Sequence, residues 1–396
     1  MRKAVGIHGF AGGFTMGVKK YFDVQCQLEQ HNFGKESCEG VAGVPFINDV
    51  GANWPQVDAE LAYGNPRCTA FSTITSGYGE NYHGPCGKQT ADIHSLIKYA
   101  IGKYDIVIFE SVQQAFSTGK PLLDYIRDEY CKPKHYRIAH VLLSAAALGN
   151  SQNRRRYFFV AYRDDRNFNI EPPCLPTFYT TCWDVFWPLK DRVCQPMKYS
   201  DTDYTADSYR LLNERDQATI ENLPNGWCFN NLGRYATHLM HPENQQVWNL
   251  RSSDMPFSLH CPYRLQWLRP MPTIFSTRSN LVHPLHHRCV TVGEIAATMG
   301  WPRIPIGKDP VSQMAKGLVP AAGEWIAKQA MYYLDDAWGA DDWESTYNHH
   351  KGTWEGADAH GKLEKVLNLT HYIPHGFNLD RFPEEVRVPP YRRVKQ

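Results

Sequence analysis

Cys68 closes the run Gly64-Asn65-Pro66-Arg67-Cys68, which follows a short apolar stretch and precedes the glycine-containing STITSGYGENYHGPCG. A thiol held at the end of a strand and under a loop is placed to act as a nucleophile. Positive charge nearby, from Arg67 or from Arg154, Arg155 and Arg156, would favour its thiolate. The same segment also fits an inert packing cysteine. Glu110 ends YDIVIFES, whose apolar residues suit a central strand, so its carboxyl should emerge at the edge where open α/β sheets bind ligands. A carboxyl there can hold or donate a proton to a ring nitrogen, although a strand-end glutamate also serves as a solvated charge. Gln152-Asn153-Arg154-Arg155-Arg156 stands just before the strand-like YFFVAY. Alternation sends Arg154 and Arg156 to one side and Arg155 to the other. Two arginines on one side can clamp phosphate, a base carbonyl or the glutamate; a solvated basic turn is the plainer reading.

The elements that must position these residues are legible as alternation. AVGIHGF, VQCQLEQ, LAYGNP and YDIVIFES are short apolar runs separated by helical or loop stretches, which predicts an α/β fold with a mostly parallel sheet. Gly9, Gly12 and Gly13 lie where the first strand turns into a helix, a place where backbone approaches a nucleotide or merely makes a tight connection. HYRIAHVLLSAAALGNSQNRRRYFFVAYR supplies the sheet's last strands. From about residue 167 to 262 the texture turns to Trp, Tyr, Pro and Asn without a sustained period, the mark of a second, less regular lobe. VTVGEIAATMGWP and KGLVPAAGEWIAKQAMYYL then read as helices, the second amphipathic enough to dock on the sheet. The organisation expected is a domain over 1–166, a second over 167–303, a returning helix over 304–335 and an extension over 336–396 with no readable motif.

With 396 residues, two lobes are expected rather than one. Lys plus Arg number 42 and Asp plus Glu 41, so no global basic field marks a nucleic-acid partner and any phosphate-binding surface must be local. No stretch has the apolar length of a membrane span, and the N-terminus lacks an export segment, which predicts a soluble, cytoplasmic protein without membrane association. The eleven cysteines lack CxxC pairs or zinc spacing, so no metal site and mostly reduced packing thiols are expected.

In their order and texture these segments resemble the DNA cytosine-C5 methyltransferase family, over most of 4–165 and again over about 269–335. HGFAGGF is similar to the family's cofactor-binding glycine motif, GNPRCTAFS to its nucleophile motif, FESV to its Glu-Asn-Val motif and QNRRR to its Gln-x-Arg-x-Arg motif. RPMPTIFSTRSNLVHP, RCVTVGEIAATMGWP and KGLVP resemble the segments that close the recognition region and return to the cofactor pocket. The resemblance implies a Rossmann-like S-adenosylmethionine-dependent fold with a smaller target-recognition domain, and double-stranded DNA as partner of a monomer in a bacterium or an infected host cell. It implies Cys68, Glu110, Arg154, Arg156 and Gln152 as catalytic residues. It places S-adenosylmethionine on Phe10, Ala11, Gly12, Gly13, Phe14, Glu29, Gln30, Asp49 and Val319, with Glu29 at the ribose and Asp49 near the adenine. Cys68 would add to position 6 of an extruded cytosine, Glu110 would hold the ring protonated at N3, and the loop from Thr73 to Gly84 would close over it.

Four departures mark a divergent branch, a viral one among the readings. Arg67 replaces the usual proline, Ser111 the usual asparagine, one glycine of the first motif is gone, and the last motif lacks its asparagine. An RNA cytosine methyltransferase and a catalytically silent DNA-binding relative are the alternatives. A dinucleotide oxidoreductase would leave Cys68, Glu110 and the arginines without a role. Arg210, Arg215, Arg234, Arg251 and Arg264 are the candidates for reading base edges from the irregular lobe.

Overall fold

The structure, a computed structural model, describes residues 1–49, 53–68, 71, 90–165, 168–197, 204–249, 261–274, 280–337, 364–374, 376 and 378–383. They fall into two units. The first takes residues 1–148, 154–175 and 316–373, the second 149–153, 176–315 and 374–396.

The first unit is built on strands β1 (Lys3–Ile7), β2 (Asp23–Glu29), β3 (Phe46–Asn48), β4 (Leu61–Gly64), β5 (Ile106–Val112), β6 (Tyr136–Ser144), β7 (Arg155–Arg163) and β8 (Glu364–Leu369). They form one sheet in the order β8-β6-β7-β5-β4-β1-β2-β3. The strands β1 to β5 are parallel to one another, β7 runs antiparallel between β5 and β6, and β8 is parallel to β6. Strands covered on both faces must be apolar throughout rather than alternating, and β5 obeys: Ile106 to Ser111 are all buried. β8 comes from the extension that carried no readable motif, and it covers the edge that β6 would otherwise leave unpaired.

Three helices matter for the rim of this sheet: α1 (Gly13–Val18), α2 (Ala91–Ala100) and α3 (Pro320–Leu334). Gly12 caps α1 at φ +86°, where a β-carbon would also meet that of Ala42 at 2.8 Å. Gly17 lets α1 cross α3 at backbone distance, since a β-carbon there would fall 2.3 Å from both Glu324 N and Pro320 O. Neither is the movable end of a side chain, so Gly17→Ala must push the helices apart. Overpacking of this kind costs about 1–3 kcal/mol, against about 1 kcal/mol that alanine returns in helix propensity. A lowered midpoint in thermal denaturation is the expected result, and an unchanged or raised midpoint would refute the close crossing.

The second unit holds short helices over Glu214–Glu221, Phe229–Tyr235, Pro242–Asn249 and Val292–Thr298, with two-stranded pairings such as Tyr263–Arg264 with Leu281–Val282. Ile220, Leu223, Phe229 and Leu232 are buried in its own small core. The sequence shows no sustained period over 167–262 because each of these helices is only two turns or so long. The Asn213 side chain accepts from the Asp216 backbone N–H, and Thr291 with Glu294 forms a reciprocal cap on the last helix. No helix among the described residues is long and apolar enough to cross a membrane.

Candidate active site

The site follows from one antiparallel strand. Parallel strands end at the ligand-binding rim, whereas an antiparallel neighbour begins there, so the start of β7 meets the end of β5. Val112 pairs with Arg156 and Glu110 with Phe158. Glu110 and Arg156 are therefore diagonal neighbours on one face. Arg156 Nε lies 2.6 Å from Glu110 Oε1, with the carboxylate 2 % and the guanidinium 12 % exposed. The expected alternation holds: Arg154 is buried, Arg155 exposed and Arg156 half-buried. Arg154 Nη2 donates to Gly317 O at 2.8 Å, in the turn before α3.

Asn65, one residue past β4, donates its side-chain amide to Glu110 Oε2. Its backbone N–H donates to His8 O at 3.2 Å, which fixes the turn. Asn65 was not singled out from the sequence, where it is one polar residue of a Gly-Asn-Pro turn; adjacency of β4 and β5 was the only available signal. Burial raises the Glu110 carboxyl above the usual carboxylate range, although Arg156 and Arg154 both pull it down. The carboxyl consequently keeps its proton to higher pH than a solvated glutamate.

Cys68 follows Asn65 by three residues and is half-buried. Glu110, Arg156 and Arg154 all act on its thiol electrostatically, so the four groups form one cluster. The expectation that arginines would favour the thiolate is corrected here. Burial, joined by the Glu110 charge, raises the thiol, and the arginines only oppose this. Arg154 is itself pushed well down by burial and by Arg156 beside it.

Gln152 belongs to the second unit. There Gln152–Asn153 pairs with Met271–Pro272, and the Gln152 side-chain amide is buried with no hydrogen-bond partner among the described residues. Among the arginines expected to read bases, Arg264 is corrected. It is buried, and its guanidinium donates to the carbonyls of Leu223, Ile220, His283 and His286, so it anchors the unit's own chain. Burial lowers it to about 10. Arg210 donates to Asn280 Oδ1, while Arg215 and Arg234 are exposed; Arg251 and the loop from Thr73 to Gly84 lie outside the described residues.

The expected cofactor residues gather at the ends of β1 and β2. Glu29 ends β2, and its Oε1 accepts from Phe10 N at 2.8 Å and Gln27 Nε2 at 3.0 Å. Among the described residues its Oε2 faces the His8 ring alone, at 3.5 Å, which leaves acceptor capacity for a hydroxyl. Phe10 stands at φ +50°, in the left-handed region. Its ring meets Phe33 edge to face. Ala11, Gly12 and Gly13 are buried in the turn, Gln30 and Asp49 are half-buried on its rim, and Asp49 N donates to Glu29 O. Phe14 turns inward onto Tyr63 and Phe158, which leaves only its backbone for a ligand. Val319 is buried as the residue before α3. A hydroxyl-accepting carboxylate, half-buried aromatic edges and a glycine-capped turn are a donor set that fits an adenosine bearing an amino-acid tail. Among the described residues no group of three or more His, Cys, Asp or Glu side chains could hold a metal ion.

This mostly parallel sheet, with its ligand rim, is the Rossmann-like α/β fold of S-adenosylmethionine-dependent methyltransferases. Residues 43–317 match the C-5 cytosine-specific DNA methylase family, and the chain belongs to that family. A curated relative, the Type II methyltransferase M.DdeI of Desulfomicrobium norvegicum, is 21% identical over 374 residues, covering 84% of this chain and 88% of the relative. A protein described as a DNA modification methyltransferase encoded within an E. coli prophage shares the fold with a TM-score of 0.60 at 14% identity, covering 85% of this chain and 100% of the other. Entamoeba histolytica methyltransferase EhMeth does so with a TM-score of 0.51 at 10% identity, covering 86% and 99%.

Proposed function

We infer that the chain methylates carbon 5 of cytosine in double-stranded DNA, with Cys68 as the covalent nucleophile and S-adenosylmethionine as donor. The observation that carries this reading is the cluster itself: a raised carboxyl at Glu110, paired with Arg156 at 2.6 Å and acting electrostatically on the Cys68 thiol. The donor supplies an electrophilic methyl group when bound, and Glu29 with the β1 turn would hold its adenosine.

Carbon 5 of cytosine is a poor nucleophile until carbon 6 is bonded. The Cys68 sulfur forms that bond, and the thiol proton passes, by way of Glu110, to the ring's N3. Charge balance is kept, because one proton leaves sulfur as one arrives on nitrogen. Arg156 and Asn65 fix the carboxyl's orientation, while Arg154 adds positive charge against the electron density that builds toward carbon 5. After methylation carbon 5 loses its hydrogen as a proton to water, the C6–S bond breaks with its electron pair going to sulfur, and the N3 proton returns by way of Glu110 to the thiol, which restores the aromatic ring. The base must leave the duplex stack for this, and sequence choice falls to the second unit, where Arg215 and Arg234 are the exposed candidates.

The experiment is transfer of label from methyl-labelled S-adenosylmethionine to cytosine-containing duplex DNA, with tRNA as competitor. Label in duplex cytosine supports the reading. Label in tRNA alone, or none in either, defeats it.

A further inference from the structure

Arg67 stands where the resemblance expects proline, so the family's chemistry gives it no task. Its side chain is nevertheless held in one pose. Arg67 Nη2 lies 2.6 Å from His31 Nε2, and Nε lies 3.3 Å from Asp92 Oδ2. Arginine can only donate, so the His31 ring nitrogen accepts. Asp92 is 8 % exposed and sits in the first turn of α2, whereas Arg67 is 44 % exposed. Asp92 Oδ2 makes no hydrogen bond among the described residues, so the contact to Arg67 is an ion pair held by charge.

Topology says what this pose spans. Arg67 follows β4, His31 follows β2, and β1 lies between those strands in the sheet. The guanidinium therefore reaches across the end of β1, over the glycine turn of residues 9–13. Of its five N–H groups, those on Nε and Nη2 face Asp92 and His31, and Nη1 is left for another acceptor.

We propose that Arg67 is the anion partner of the methyl donor's amino-acid carboxylate, with Asp92 and His31 holding the guanidinium in place for it. This rests on the donor reading given above. A methyl group delivered to a ring bonded to Cys68 requires the donor sulfur close to residue 68. The carboxylate carbon is four bonds from that sulfur, each about 1.5 Å, so it falls next to residue 67. Arginine matches a carboxylate in charge and planar geometry, and a side chain already fixed loses less freedom on binding. Asp92, beside it, offers the opposite charge to the donor's ammonium group. Arg154 and Arg156 are committed elsewhere, to the Gly317 carbonyl and to Glu110.

The test compares two ligands by calorimetry on the full chain: S-adenosylhomocysteine, which carries the amino-acid tail, and 5′-methylthioadenosine, which lacks it. Loss of a charge-assisted hydrogen bond predicts that Arg67→Ala weakens the first about ten- to hundred-fold and leaves the second unchanged. Arg67→Lys should recover part of the loss, since the charge is kept and the fork is not. Equal weakening of both ligands would mean a structural role and overturn the proposal, as would unchanged binding of S-adenosylhomocysteine. Weaker duplex DNA binding with an unaltered ligand ratio overturns it in favour of a phosphate contact. If the unaltered chain binds neither ligand, the donor reading itself fails and takes this proposal with it, a result distinct from a lost preference in the variant.

Discussion

Cys68→Ser abolishes methyl transfer, with a fall in kcat of at least about a thousandfold, while the protein keeps its fold and its affinity for duplex DNA. The size of the effect follows from what the sulfur does. Without a bond at carbon 6 the ring offers no electrons at carbon 5, so the serine chain is left with positioning alone. A serine hydroxyl is far less acidic than a thiol, and here even the thiol is raised by burial and by Glu110. Glu110, which takes the thiol's proton, would have to take it from a much weaker acid. Since Cys68 is half-buried and packs no aromatic partner among the described residues, the exchange of one sulfur for one oxygen should leave the melting temperature within a few degrees. Two measurements separate chemistry from folding: single-turnover methylation, and covalent trapping on a duplex containing 5-fluorocytosine, where a competent sulfur and donor leave a stable adduct. Undiminished labelling of DNA by Cys68→Ser would dispose of the covalent mechanism.

What the sequence disclosed, and what it withheld, divides along a physical line. Glu110, Arg154 and Arg156 were legible because each lies at the end or start of a strand, where alternation fixes direction from local sequence alone, and Cys68 because it closes the turn that follows β4. Their convergence depends on β7 running antiparallel beside β5, which no local pattern fixes. Asn65 was not legible, because an amide beside a proline looks like turn chemistry until β4 and β5 are known to be adjacent. The direction of the Cys68 shift also escaped the sequence. Counting arginines gives the sign of the nearby charge, whereas desolvation depends on how many elements close over the sulfur, and here desolvation wins. Arg264 misled for a related reason: a basic residue in an irregular lobe is normally a surface group, yet this one is surrounded by four backbone carbonyls that its guanidinium satisfies. β8 was hidden because EKVLNL sits in a polar extension, and only the open edge of β6 gives that short run a reason to be a strand.

Glu110→Gln separates proton delivery from charge and shape. Glutamine keeps the length of the side chain and can still bond Asn65, but it cannot carry the thiol proton to N3. Loss of a positioned acid typically costs about 10²–10⁴ in rate, or about 3–5 kcal/mol in barrier height, and that is the fall expected in kcat/KM. The pH profile gives a sharper test. Burial raises the Glu110 carboxyl, so the active, protonated form persists above the usual carboxylate range, and activity declines as pH rises through that raised value. Glu110→Gln should lose the alkaline limb that belongs to the carboxyl. Stability must move consistently with this. A carboxyl whose folded pKa lies above its unfolded value favours folding fully below the unfolded value, and that contribution is lost as pH rises through the folded one. The unaltered chain should thus lose ground to Glu110→Gln as pH increases across that window, less whatever the Arg156 pairing at 2.6 Å restores to the charged form. An alkaline limb that survives unchanged in Glu110→Gln would assign the titration to another group and remove Glu110 from the proton path.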